Sequence, residues 1–264
     1  MSTRHASLLS HFMHAGLAGF FIHTRLKYLV VLLLAWIPLL TNAGSFSVSP
    51  LRIELSKSDT TRIINLQNLE AKPVTVQLQV MAWSHKEGAD QFAPTRDVIV
   101  TPQIFHLKGN GLQIIRAGLL RKPETHEELS YRLIIEEIPA PPPAEFKGAQ
   151  LALRVTLPVF IAPEKVPNPK IEFQTFVEPD GRLKVRIVNH GQAHAQIQKM
   201  MIFGKEKSEK SLATHEKSIY VLPGQERNLI LKTEVHDLVG IDKFFISATT
   251  RHGPIESYAS ADPP

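Results

Sequence analysis

The chain has 264 residues, 43% hydrophobic and 21% charged, a length and balance that suit one or two globular domains. It contains no cysteine, which excludes disulfides, thiolate metal sites and cysteine nucleophiles together. The formal charge of +5 is not concentrated in a basic patch, so nothing in it supports a nucleic-acid-binding protein.

Residues 1–43 carry no Asp or Glu. Arg25 and Lys27 precede a thirteen-residue apolar run, Tyr28 to Leu40, and Thr41-Asn42-Ala43 follows with small residues at its first and third places. This order reads as a secretory signal peptide cut after Ala43. The run falls short of the roughly twenty residues of a membrane span, and an uncleaved anchor is the alternative. Loss of the segment removes Arg4, Arg25 and Lys27, so the net charge falls from +5 to +2.

From Phe46 onward the apolar positions alternate, the signature of β-strands with one buried face. Phe46 to Leu55 reads as a strand with a kink near Pro50. Thr61 to Asn68, Val74 to Trp83, two short pieces around Thr101-Pro102 within Val98 to Leu107, Leu112 to Ala117 and Leu129 to Ile138 follow as strands. Gly88-Ala89-Asp90 and Gly109-Asn110-Gly111 read as turns. Trp83 reads as a core anchor between sheets. About seven short strands in some 120 residues indicate a β-sandwich.

Leu151 to Pro163 is the most regular stretch. Leu151, Leu153, Val155, Leu157, Val159 and Ile161 fall on one face, and eleven residues at about 3.3 Å each reach roughly 36 Å. Pro158 cannot donate to a ladder, which favours an edge strand, and a long apolar edge needs a cover from this chain or another. After Pro163, Pro167 and Pro169 the strand pattern resumes in Ile171–Val177, Leu183–Asn189, Ala195–Phe203, Ser218–Leu222, Asn228–Thr233 and Phe244–Thr250. The mixed-charge run Lys205 to Lys217 reads as a solvated loop. Leu183 to His190 echoes Arg62 to Asn68 as shared architecture. The expected divisions are a leader over 1–43, a first immunoglobulin-like domain over 44–163 and a smaller β-sandwich over 164–264.

Ser49-Pro50-Leu51-Arg52, Ile64 to Asn68, Gln79 to Trp83, Thr101-Pro102, Gln113 to Arg116, Tyr131-Arg132-Leu133, Glu137-Ile138-Pro139 and Leu151 to Phe160 with Pro163 occur in the order found in the PapD-type periplasmic pilus chaperones. Over residues 46–163 the chain resembles that family, and the run Leu157-Pro158-Val159-Phe160 looks most like its archaic, or sigma-type, branch. The resemblance implies an all-β fold of two immunoglobulin-like sandwiches and a periplasmic location. It also implies a function. The strand 151–161, through Leu151, Leu153, Val155, Leu157 and Val159, completes a pilus subunit that lacks its own last strand. The subunit then passes to an outer-membrane usher. Arg52 matches the family's first-strand arginine, which anchors the subunit's terminal carboxylate. The family's lysine falls at Pro158, a departure for which Arg132 and Arg154 on neighbouring strands are the substitutes. A cis bond at Thr101-Pro102 and a self-capping oligomer are further states the resemblance allows.

No enzyme is expected. HExxH, GxSxG and P-loop patterns are missing, and Glu136 and Glu137 point to opposite strand faces. His190 and His194 lie four apart, but in a turn, so no metal site is expected. His85, His106, His126, His215, His236 and His252 are expected on surface or loops. No cofactor is expected, nor stable membrane insertion of the mature chain. The alternative is a secreted or surface β-sandwich acting as a structural or adhesive module.

Overall fold

Alternation decides which side of each strand is buried. In β3 (Thr61–Asn68) Ile64, Leu66 and Asn68 are buried, and Ile63, Asn65 and Gln67 face out. The computed structural model describes residues 46–120, 126–142, 144–145, 147–164, 167–204, 210–233, 238 and 240–262, and the expected leader over 1–43 lies outside them. The described residues contain no α-helix.

The first sandwich has two sheets. One holds β1 (Phe46–Ser49), β3, β8 (Leu112–Leu119) and β6 (Val98–Thr101), in the order β1-β3-β8-β6. The other runs β2 (Ile53–Ser56), β10 (Arg154–Ala162), β9 (Leu129–Ile138), β4 (Val74–Lys86) and β5 (Ala89–Pro94), with β7 (Ile104–Leu107) also pairing β4. Their inner faces meet in one core that includes Ile53, Leu66, Leu78, Ile115, Leu133, Leu157 and Val159. The kink expected near Pro50 is a switch of sheets: β1 pairs β3 and β2 pairs β10. Ser49-Pro50 and Thr101-Pro102 are cis.

In the second sandwich β14 (Ala213–His215), β13 (Ala195–Phe203), β17 (Lys243–Thr250) and β18 (Gly253–Asp262) form one layer, and β15 (Ile219–Val221) also pairs β13. β11 (Ile171–Val177), β12 (Leu183–Asn189) and β16 (Glu226–Leu231) form the other. The layers join where β11 and β18 run parallel at Thr175 and Ala261. Phe173, Val185, Ile187, Met200, Phe244 and Ile246 fill the core between them.

β3 and β12, which echo each other in sequence, both end in a fully buried asparagine. Asn68 donates to the carbonyls of Lys72 and Lys108, and Asn189 to those of Ala193 and Val221. Each amide ties off its own turn, which meets the requirement that a buried polar group be hydrogen-bonded.

Three strands were not legible as such. β5 occupies the region read as a turn after Glu87 and Gly88, both at positive φ, and all six of its residues are exposed. β14 lies within the charged run, and β18 follows the last strand expected.

Candidate functional site

β10 is bordered unequally. On one side β9 pairs with it antiparallel over its length, from Arg154 opposite Glu136 to Ile161 opposite Leu129. On the other side β2 runs parallel to it, but only along Val159–Ala162. Among the described residues no strand pairs with the outer side of Arg154–Pro158. The edge expected from Pro158 is thus half an edge, and Pro158 is its last residue before β2 begins.

The strand starts at Arg154, not at Leu151. Leu153 is still tied to β9, because Glu137 N donates to its carbonyl at 2.9 Å. Along the apolar face burial falls steadily toward the N-terminus. Ile161, Val159 and Leu157 are in the sandwich core, Val155 is half-buried against it, and Leu151 is 89% exposed. The same face continues through Val155, which packs against this core, and Leu153 to Leu151, which lies before the start of β10. Leu157 and Val159 are in the first core, and Leu151, Leu153 and Val155 are the more exposed side chains of this face.

Arg52 precedes β2 and sits where the open edge ends. Its side chain is 15% exposed. Nη2 donates to Gln196 Oε1 and lies 3.5 Å from the Tyr220 hydroxyl, while Nη1 is 3.4 Å from His194 Nε2 and 3.6 Å from Glu54 Oε1. Arg132 lies in register opposite Pro158, so an arginine from β9 stands beside the position where the resemblance expects lysine. Its guanidinium lies 3.7 Å from the centre of the Trp83 ring and 5.3 Å from that of Tyr220. Burial pulls the pKa of Arg132 below its ordinary value, against the opposing pull of Asp90. Stacking on aromatic faces compensates part of that desolvation. Arg52 approaches the same Tyr220 ring, at 5.8 Å, so the two cations converge on one aromatic. Arg154 is exposed at the other end of β10, four residues or about 13 Å along the strand from Pro158.

The two sandwiches meet in an aromatic joint. Trp83, Phe160 and Leu222 are buried together, with Tyr220 packed against them. Trp83 therefore lies between the sandwiches and not between the sheets of the first, as the sequence had suggested. Beside it Asp90 accepts from Trp83 Nε1 at 2.9 Å and from Arg227 at 3.0 Å. A cleft of about 620 Å³ opens next to the joint, lined by Arg52, Glu54, Phe160, His194, Arg251 and His252 among others.

Two histidines expected on loops or surface are buried. The His85 side chain is 1% exposed, and His194 is 7% exposed and stacks on Phe160 at 3.6 Å between ring centres. His194 takes Glu128, Arg52 and Phe160 from the other sandwich, and His85 lies by Trp83 and Asp90 of its own sandwich and Arg227 of the other, contacts that no local pattern reports. The one local signal was Ala193-His194-Ala195, a histidine between small residues at the start of a strand. Among the described residues no group of three or more His, Asp or Glu is placed to hold a metal.

Comparison with solved structures places this architecture. The chain shares its fold with a chain of the CsuC–CsuE chaperone–tip adhesion subunit complex from the archaic Csu pili of Acinetobacter baumannii, at a TM-score of 0.63 and 16% identity, covering 83% of this chain and 100% of that one. It also matches the Escherichia coli chaperone DraB at 0.53 and 18%, covering 81% and 98%. A chain of the Salmonella enterica SafA pilin–SafB chaperone complex matches at 0.55 and 18%, covering 82% and 97%. The fold is that of the two-domain chaperones of pilus assembly, whose role is structural and not enzymatic. Residues 45–167 match the family described as pili and flagellar-assembly chaperone, PapD N-terminal domain. No curated protein matches it in sequence. No helix among the described residues is long and apolar enough to cross a membrane.

Proposed function

We propose that this protein captures pilus subunits in the periplasm by completing their fold with β10 and the residues just before it, and delivers them to an outer-membrane usher. The observation that carries this reading is the vacant side of Arg154–Pro158 with Arg52 at its end. β2 runs parallel to β10 and begins where the vacancy stops. A strand added in the same direction as β2 would end with its C-terminal carboxylate at Arg52. The opposite direction would bring a cationic amino terminus there. Unpaired backbone on both partners supplies the attraction, and an arginine fork suits a terminal carboxylate.

Leu151, Leu153 and Val155 would enter the guest's core. At about 1.5–3 kcal/mol each they contribute about 5–9 kcal/mol before ordering costs. Release then requires exchange by another strand. Arg132 supplies the second cation beside the carboxylate, and Arg154 lies at the entry of the edge. The leader over 1–43 provides export. Without a guest, a second copy of the chain is the alternative cover for the edge.

Co-expression with the pilus subunits encoded beside its gene, followed by co-purification from the periplasm, tests the reading. The expected result is a one-to-one complex that Leu153→Glu with Val155→Glu abolishes while the chaperone stays folded. Undiminished capture by that double variant would overturn it.

A further inference from the structure

We propose that His194, oriented by Glu128, is the positioning residue that aims Arg52 at the guest's carboxylate. The inference rests on the reading of Arg52 as the carboxylate anchor.

The His194 and Glu128 side chains are 8% and 9% exposed. A buried carboxylate and imidazole cost desolvation and need a tight pairing to persist. They have one: His194 Nδ1 is 2.6 Å from Glu128 Oε1, and the His194 backbone N–H donates to the same oxygen at 3.1 Å. The turn that carries the histidine is held from the other side, where Glu128 N donates to the Gln192 carbonyl. The ring lies flat on Phe160, 6° from parallel, so it cannot rotate freely.

Those contacts settle where the proton sits. A carboxylate only accepts, so Nδ1 carries the hydrogen, and a guanidinium only donates, so Nε2 presents its lone pair to Arg52 Nη1. Glu128 thus selects the tautomer that attracts Arg52. The other tautomer would set an N–H against a guanidinium. The other groups near the ring are the Tyr220 hydroxyl, whose ring centre is 5.7 Å away, and Glu54, Arg251 and His252 along the cleft. With Nη1 held by His194, the Nε–Nη2 edge of Arg52 is left to turn toward a carboxylate. Gln196 and Tyr220, which now meet Nη2, are displaced when it arrives.

The test separates carboxylate recognition from strand pairing. The probe is a ten-residue peptide of alternating valine and threonine, made with a free C-terminal carboxylate and as the C-terminal amide. Affinities of the purified protein for the two forms give a ratio. A charge-assisted bidentate contact predicts a ratio of about tenfold or more for the natural protein. His194→Phe keeps the stack on Phe160 and removes both nitrogens, and the ratio should fall below about threefold with the amide's affinity unchanged. Glu128→Ala should act the same way, and Glu128→Gln, which still accepts from Nδ1–H, should restore most of the ratio. A purely structural role would weaken both peptides equally, and that result overturns the inference, as does a full ratio in His194→Phe or Glu128→Ala. Should His194→Phe not fold, the pair of Glu128 variants decides the matter alone. A ratio near one in the natural protein is a different failure, since it removes the anchor itself.

Discussion

Pro158 and Arg132 face each other across β10 and β9. The proline fills the place where the family resemblance expects a lysine, and the arginine is its cross-strand neighbour, held on Trp83. A cation on the adjacent strand thus stands beside that position. Arg132→Leu keeps much of the side-chain bulk and removes the charge. It should weaken subunit binding by about tenfold, the size of one charge-assisted contact, and a titration of the complex at two salt concentrations measures it. Arg154→Leu, at the far end of the strand, should change binding less than Arg132→Leu does.

The gradient of burial along β10 separates two kinds of position. Val155→Glu, on the half-buried stretch, should abolish capture and leave the thermal transition nearly in place. Leu157→Glu puts an unpaired carboxylate into a site only 3% exposed, and it should cost several kcal/mol and unfold the first sandwich. Thermal unfolding followed by circular dichroism, run beside the capture assay, distinguishes the two.

The apolar part of the joint between the sandwiches is made by Trp83, Phe160, Leu222 and Tyr220. Phe160→Ala removes a ring that touches Trp83, Tyr220 and His194. A loss of about 3–5 kcal/mol is expected for a buried phenylalanine. Small-angle scattering should also show a wider spread of interdomain arrangements at temperatures where both sandwiches remain folded.

His85 makes stability depend on pH. Burial first, and then the nearby Arg227, lowers its pKa from 6.5 to about 4. Asp90 lies 3.2 Å from Nε2 and pulls the other way, but its carboxylate is also engaged by Arg227 and Trp83. Between these values the unfolded chain binds a proton that the folded chain refuses, so stability rises with pH from about 4 to 6.5 and is fully present above 6.5. Denaturant unfolding at pH 4.5 and 7 should show this gain, and His85→Phe should flatten it. An unchanged slope in that variant would assign the effect to other groups.

Much of the fold was legible because period-two patterning is local. β3, β9, β11 and β12 need only their own residues to declare a buried face. β5 was not legible: Ala89–Pro94 is exposed on both faces and joins the sheet only because β4 runs on past Trp83 to pair with it. The apolar line of β10 was also plain, but not where its own core ends and its open side begins, since that depends on the length of β2. Arg52 and Arg132 came from matching motifs. Their convergence on Tyr220, and the burial of His85 and His194, needed the second sandwich to be in place. Burial of a polar side chain is decided by partners, and here the partner of His194 at Arg52 is 142 residues away in the chain.

Phe160 lies two residues beyond Pro158, the last residue of the open edge, on the same strand. The strand proposed to hold a client thus also supplies a ring to the contact between the two sandwiches. Substitutions along this one strand therefore bear on both its open side and the seam between the sandwiches.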